Sequence, residues 1–385
     1  MNIIKVRNKF EIAEFHNIVY KIYKHKKNWI PHIKQDVESV FNSRKNSYHK
    51  HGESERFILI ENKITIGRIS VFYSKKNTKD TLRTGGIGFF ECINSQKAAN
   101  LLFEKAVLWL KKRNIEAMDG PINFGEKEKY WGLLVQGFDK DTVYGQNYHL
   151  EYYQELFETF GFKPYYNQHV YCKDLREPYP DKFYERAKRI TSRPHFSLDH
   201  MRDYNYKKYA QYFTDIYNDA WGTHHTFKPI KVEQGEKMFR KMKDIIDQRL
   251  IWFGFYKEKP ICFFIAIPDI NQYFKYINGN LNTIGKMKFL YHKTFNKSKT
   301  VAALVFGVIP KFQKLGLESA LANHTTNIML QDGYTKVIQS WIGDFNPKMI
   351  KVCESFLGSD IYQKLTTYRY LFDKKGAFKP HPIIK

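Results

Sequence analysis

The sequence predicts a mixed α/β fold (α+β in the arrangement of its elements) built as two packed lobes, each a mixed, mostly antiparallel sheet flanked by helices. Three observations carry this. At 385 residues the chain exceeds one ordinary hydrophobic core and suits two domains. Hydrophobic residues make up 43% and charged residues 26% of it, a composition that buries a core instead of staying disordered. One order of elements, hairpin, strand, helix, strand, helix, strand, is also written twice along the chain.

The first hairpin joins Phe57–Ile60 to Ile64–Tyr73, and the second joins Ile251–Tyr256 to Pro260–Ile267. Both pairs are rich in β-branched and aromatic residues around a short polar turn. A third strand follows in each copy, Ile87–Ile93 and Val301–Ile309. Next comes an amphipathic helix. Ala98, Leu101, Leu102, Ala106 and Trp109 share one face in the first copy, and Leu317, Ala320, Leu321 and Ile328 in the second, at the spacing of a 3.6-residue repeat. A short strand (Ile115–Met118, Thr335–Trp341) leads to another helix (Tyr152–Phe160, Met349–Phe356), which stops at Gly161 or Gly358, as helices commonly do. An aromatic strand closes each copy, Tyr165–Cys172 and Leu365–Phe372. Helical sequence precedes each copy: Glu11–His25 in the first, Tyr206–Trp221 and Glu233–Ile246 in the second. Residues 176–194 hold three of the thirteen prolines and many charges and read as a linker. The expected division is therefore a lobe at 1–175, the linker at 176–194 and a lobe at 195–385.

Several classes are disfavoured. No apolar run approaches the ~20 residues that span a bilayer, and Met1–Phe10 lacks the apolar stretch of a signal peptide. Cys92, Cys172, Cys262 and Cys353 lie far apart with no CxxC pair, which points away from zinc and from a disulfide framework. Reduced, mostly buried thiols in a cytoplasmic protein are expected. His224 and His225 are adjacent, poor geometry for two metal ligands on one helix face, and no metal is expected. The net charge of +24 is spread as lysines along the whole chain, with its densest groups at Lys24–Lys27 and Lys111–Arg113. That pattern favours attraction of a small anionic ligand over a nucleic-acid groove.

The sharpest local signal comes after the strand Val301–Ile309: Pro310-Lys311-Phe312-Gln313-Lys314-Leu315-Gly316-Leu317-Glu318-Ser319-Ala320-Leu321. A strand delivers the chain to a glycine turn at a helix N-terminus, where backbone N–H groups and the helix dipole favour a phosphate. A glycine there lets the backbone approach the anion closely. The loop and the element order resemble the GNAT superfamily of acyl-CoA-dependent N-acyltransferases. The whole chain is similar to a group of bacterial two-lobed GNAT-like proteins. The family's pyrophosphate loop reads Arg or Gln, two residues, Gly, one residue, then Gly or Ala. Gln313 and Gly316 match it, and Glu318 stands where the family has a small residue.

The resemblance implies an acyl-CoA co-substrate, acetyl or longer, held by Phe306, Val308, Gln313, Lys314, Leu315, Gly316, Leu317 and Asn346. The family's Asn contacts the pantetheine arm; Asn346 also reads as an N-cap before Pro347. A backbone N–H near Phe306–Val308 would stabilise the oxyanion. The family often places a Tyr acid seven residues after that Asn. Here the position is Cys353, which leaves Tyr334 and Tyr362 as the other acids to weigh. Glu233, Asp269 and Asn271 are the candidates for the catalytic base and acceptor contacts, each with a plain alternative as an early-helix charge or a turn former.

The first copy has Glu91-Cys92-Ile93-Asn94-Ser95-Gln96-Lys97-Ala98-Ala99 at the equivalent turn, without glycine, and reads as a degenerate copy. Its segments Gly120–Gly125 and Trp131–Phe138 read either as a pocket-lining loop or as a tightly packed one. The expected function is transfer of an acyl group from acyl-CoA to a small-molecule amine. The alternatives are a non-catalytic binding protein on a decayed scaffold and an aminoacyl-tRNA-dependent transferase. An anion is expected at Gly316 and not at Ala98, at a surface turn where Gly316→Val would spare the fold.

Overall fold

In a computed structural model of the chain, residues 1–75, 82–222, 229–373 and 376–384 are described, so His224 and His225 lie outside the described residues. The first half runs β1 (Asn2–Lys5), α1 (Lys9–Ile22), α2 (Lys34–Phe41), β2 (Gly52–Glu61), β3 (Ile64–Ser74), β4 (Thr84–Cys92), α3 (Gln96–Lys111), β5 (Ala117–Gly120), β6 (Leu133–Gln136), α4 (Tyr152–Phe160) and β7 (Lys163–Asp174). The second runs α5 (Asp181–Thr191), β8 (Phe196–His200), α6 (Tyr206–Trp221), α7 (Val232–Lys241), β9 (Ile251–Tyr256), β10 (Lys259–Pro268), α8 (Asn271–Phe274), α9 (Thr283–Phe295), β11 (Thr300–Val308), α10 (Leu317–Gln331), β12 (Lys336–Gln339), β13 (Ile342–Gly343) and α11 (Pro347–Lys351). A π-helical turn (Val352–Phe356) extends α11, and β14 (Asp360–Leu371) ends the fold. The architecture is mixed α/β.

Local chemistry sets these boundaries. α1 begins at a capping box: Asn8 Oδ1 accepts from the Glu11 N–H at 3.0 Å, and the Glu11 carboxylate accepts from the Asn8 N–H at 2.9 Å. Two orphan donors of the first turn are satisfied together. The hairpins β2–β3 and β9–β10 use the same tight turn, with left-handed φ at Asn62 and Lys63 in one (48° and 66°) and at Lys257 and Glu258 in the other (47° and 63°). Two consecutive positive φ values match the right-handed twist of the flanking strands.

The sheet order is β1-β2-β3-β4-β5-β14-β7-β12-β11-β10-β9-β8. β4 pairs parallel with β5, and β11 pairs parallel with β12. The closing strands, which the sequence places at the ends of their own copies, are exchanged. β14 pairs with β5 of the first copy, β7 pairs with β12 of the second, and β14 and β7 pair antiparallel with each other. One continuous sheet results, with neither closing strand left as an edge.

The cores respect the exchange. Phe90, Phe103, Tyr153 and Phe157 of the first copy pack with Tyr368 of β14. Ala266, Val301, Met329 and Val337 of the second pack with Leu175, just past β7. The span read as a linker holds α5. Its Phe183, Ala187 and Ile190 are buried, and it packs against α10.

Candidate functional site

β11 and β12 stay paired from Thr300–Ala303 against Lys336–Gln339 and then part. The last backbone bond across them is Ser340 N–H to the Ala303 carbonyl at 3.0 Å, and the Ser340 hydroxyl reaches one residue further, donating to the Leu304 carbonyl at 3.2 Å. Beyond it Ile342 turns to β7, opposite His169. Parting is helped by a bulge. On β11, Val305 stands opposite Ile265 and Ala303 opposite Ala266, which leaves Leu304 as the extra residue. Such bulges bend a strand and re-aim the residues beyond the bend.

The opened wedge holds a cavity of about 450 Å³, within the size range of small-ligand sites. Leu304 and Phe306 wall it on one side and Trp341 and Gly343 on the other. α10 forms its floor through Glu318, Leu321, Ala322, Thr325, Thr326 and Met329, one helical face extending roughly 16 Å at 1.5 Å per residue. Val337, Leu357 and Leu175 make the lining apolar. Tyr179 closes over α10, its hydroxyl 2.7 Å from Thr326 Oγ1.

At the N-terminus of α10 the loop Gln313–Gly316 has Lys314 and Gly316 in the left-handed region, at φ 64° and 98°. Gln313 braces it by donating from Nε2 to the Val308 carbonyl at 3.1 Å. Among the described residues no side chain caps α10, and none pairs with the buried Ser319 Oγ in its first turn. An uncapped first turn presents N–H groups and a positive dipole end to an anion. Lys311 and Lys314 are exposed beside it. Gly316 is packed against α5, contrary to the expectation of a surface turn: a Cβ there would stand 3.1 Å from Arg186 Cβ. The uncapped turn and its two lysines suit an anion, although Gln313–Leu317 are not among the residues that line the cavity, and among the described residues that do, Glu318 is the one acidic side chain.

The first copy is closed at the same place. After β5 the chain stays against β4: Ile122 N–H donates to the Ile87 carbonyl at 2.7 Å. A Cβ at Gly88 would lie 2.0 Å from the Ile122 carbonyl oxygen, so glycine alone permits this approach. Ser95 caps α3 through the Ala98 N–H at 3.3 Å, satisfying an amide that α10 leaves without a side-chain cap.

The other sequence candidates fall in different places. Phe306 and Asn346 line the cavity, and Asn346 also caps α11 by accepting from the Met349 N–H at 3.2 Å. Val308 and Leu317 are buried in the core between β11 and α10, with Leu315 packed on it. Glu233 is exposed in the first turn of α7. Asp269 is buried. Its Oδ1 accepts from the Asn271 N–H at 3.1 Å and its Oδ2 from Gln272 Nε2 at 3.2 Å. Burial pushes its carboxyl up to about 6. Asn271 Nδ2 donates to the Thr142 carbonyl of the first copy at 2.6 Å. Glu233, Asp269 and Asn271 are not among the residues lining the cavity. Cys353 donates to Gln339 Oε1 at 2.9 Å, and burial pushes its thiol up to about 12. Tyr334 is bonded to Asp247 at 3.4 Å.

A polar cluster that sequence reasoning missed sits in the first copy. Glu91 and Arg68 face each other across β3 and β4. Glu91 accepts from the Tyr23 and Tyr153 hydroxyls at 2.8 and 2.7 Å. Arg68 donates to the Phe15 carbonyl at 2.6 Å, and its buried Nε has no partner among the described residues. With His16, His32 and His149 they border a cavity of about 30 Å³, room for little more than water. The signal in the sequence was the pair of opposite charges at facing strand positions.

No protein-family profile matches the chain. Among curated proteins, bacterial ceramide synthase from Caulobacter vibrioides (strain NA1000 / CB15N) is 24% identical over 379 residues, covering 96% of this chain and 97% of the relative. Protein YghO from Escherichia coli (strain K12) is 21% identical over 377 residues, covering 94% and 93%. Among solved structures, a tandem GNAT protein from the clavulanic acid biosynthesis pathway superposes with a TM-score of 0.54 at 9% identity, over 96% of this chain and 98% of that one. A GCN5-related N-acetyltransferase from Sphaerobacter thermophilus superposes at 0.52 and 9% identity, over 96% and 95%. With its twofold element order, its parted strand pair and these full-length superpositions, the chain has the fold of a tandem GNAT protein.

Proposed function

We propose that the protein is an N-acyltransferase that takes a long acyl group from acyl-CoA in the second copy and transfers it to a lipid-like primary amine. The observation that carries this reading is the apolar cavity between β11 and β12, floored by α10 from Glu318 to Met329. The pantetheine arm takes part of that length, and an acetyl group needs little of the rest. The full-length likeness to a protein named ceramide synthase supports the same choice, because ceramide is the amide of a fatty acid and a long-chain amino alcohol.

In this reading the α10 N-terminus, Lys311 and Lys314 hold the pyrophosphate, and Phe306 and Asn346 border the pantetheine arm. The N–H groups at the Leu304 bulge polarise the thioester carbonyl. The amine nitrogen attacks the carbonyl carbon; the C–N bond forms, the C–S bond breaks, and the nitrogen's proton leaves with the thiolate as free thiol. The first copy, with its closed wedge and capped helix, supports the sheet and binds no coenzyme.

The test is amide formation by mass spectrometry, with acyl-CoAs of increasing length and an amine panel including sphingoid bases. The reading expects N-acyl product with long acyl-CoA. A second reading, a coenzyme-binding protein without turnover, is favoured by Glu318 on the cavity wall; it expects binding and no amide from any amine.

A further inference from the structure

α9 is held to the fold along a narrow line. Its buried residues are Gly285 and Phe289, the latter packed with Tyr273, Phe274 and the first copy's Ile30 and Ile33. The opposite side is apolar yet open. Ile284, Met287, Leu290, Tyr291 and Phe295 are each between 56% and 69% exposed. At about 100° per residue they form one stripe roughly 140° wide, directed away from Gly285 and Phe289. Lys288 borders it on one side and Lys286 on the other. The helix belongs to the segment between β10 and β11. Between Asp269 and Glu318 the chain has no acidic residue and eight lysines, six of them (275, 286, 288, 293, 297 and 299) within the α8–α9 segment and the turn to β11.

An exposed apolar stripe of this size calls for a covering partner. The charge beside it specifies which. A protein partner with a matching apolar groove would not require lysines along both borders of the stripe, whereas an anionic bilayer offers both an apolar layer and a negative surface. We propose that α9 lies in the interface of an anionic lipid membrane, with the side chains of Met287, Tyr291 and Phe295 in the acyl boundary and the lysines at the headgroups. This attachment is peripheral: among the described residues no helix is long and apolar enough to cross a membrane. It does not depend on the acyl-transfer reading.

The experiment is flotation of the full chain with vesicles of pure phosphatidylcholine or of equimolar phosphatidylcholine and phosphatidylglycerol. The wild type is expected to float with the phosphatidylglycerol vesicles and not with phosphatidylcholine alone. The variant Met287→Ser/Tyr291→Ser/Phe295→Ser should lose affinity by about tenfold or more, since it removes the inserted apolar area. Lys286→Glu/Lys288→Glu, which leaves the stripe intact, should lose a similar factor, at roughly fivefold or more per lysine. Thermal melts by circular dichroism check that both variants fold; should the apolar variant melt early, the lysine variant decides. The proposal is overturned if the wild type does not float with phosphatidylglycerol vesicles, if the folded variants float as it does, or if the stripe proves to be a dimer contact, with mass doubling in solution and no flotation.

Discussion

Arg369 and Asp119 form a two-point ion pair between strands of different copies. Arg369 Nε and Nη2 stand 2.7 and 2.8 Å from the two Asp119 carboxylate oxygens. The residues are register partners on β14 and β5, and the guanidinium lies over the Tyr165 ring at 3.6 Å. The pair pins the last strand of the chain into the sheet of the first copy. Removing one member leaves a half-buried charge without its partner. Arg369→Met should therefore lower stability by about 3 kcal/mol, and Asp119→Leu combined with it should cost less than the sum of the two. Denaturant titration of the four proteins measures this coupling. The exchange also predicts one cooperative transition for both copies.

Gly316 meets two constraints at once, a φ of 98° and a Cβ position that would lie 3.1 Å from Arg186 Cβ and 3.3 Å from its carbonyl oxygen. Gly316→Ala should cost about 1–3 kcal/mol and weaken coenzyme A binding as well. Thermal melts and calorimetry on the same preparation check both. A loss of affinity with an unchanged melt would show that α5 yields at that position.

Glu318 is the carboxylate nearest the start of α10 among the cavity residues. Glu318→Gln keeps the shape and removes the negative charge. Coenzyme A should bind the variant about three- to tenfold more tightly at low ionic strength, and the gain should shrink as salt is added. Calorimetry at two salt concentrations reads this out.

His149 Nδ1 accepts the Leu134 N–H at 3.1 Å, so its proton sits on Nε2. Burial, with His32 and Arg68 adding to it, depresses its pKa to about 3. The folded protein thus binds a proton less readily than the unfolded chain, whose histidine titrates near 6.5. The stability this provides is complete above the unfolded value and is lost as pH falls from there toward the folded value. In His149→Asn the side-chain oxygen can take over from Nδ1 without titrating. The stability difference between wild type and variant should therefore move against the wild type by up to ~1.4 kcal/mol per pH unit below about 6.5. A parallel pair of pH profiles would contradict it.

The repeat was legible because each element carries its own period and punctuation: the hairpins β2–β3 and β9–β10, α4 and α6 lie where the residue pattern puts them. The exchange of β7 and β14 was not legible. Both are aromatic strands of equal length, and alternation says which side faces a core but not whose core it is. α5 was hidden by its prolines and charges, although Phe183, Ala187 and Ile190 sit at helical spacing. The loop at Gly316 was readable as a motif. Its packing under Arg186 was not, because that contact comes from a segment more than a hundred residues earlier. Asp269 and Asn271 stood out as polar residues after a strand; the structure uses their hydrogen bonds to start α8 and to reach Thr142 of the first copy.

If a long acyl thioester occupies the wedge between β11 and β12, filling that wedge must weaken its binding. Ala322 lines the cavity from α10, and Ala322→Phe would fill part of it without touching the loop at Gly316. The measurement is calorimetric titration of wild type and Ala322→Phe with palmitoyl-CoA and with acetyl-CoA. Palmitoyl-CoA is predicted to bind the wild type more tightly than acetyl-CoA does. Ala322→Phe is predicted to lose about tenfold or more of the palmitoyl-CoA affinity while acetyl-CoA binding changes far less. Equal palmitoyl-CoA affinity in wild type and a folded Ala322→Phe variant, or no binding of either thioester to the wild type, would contradict it.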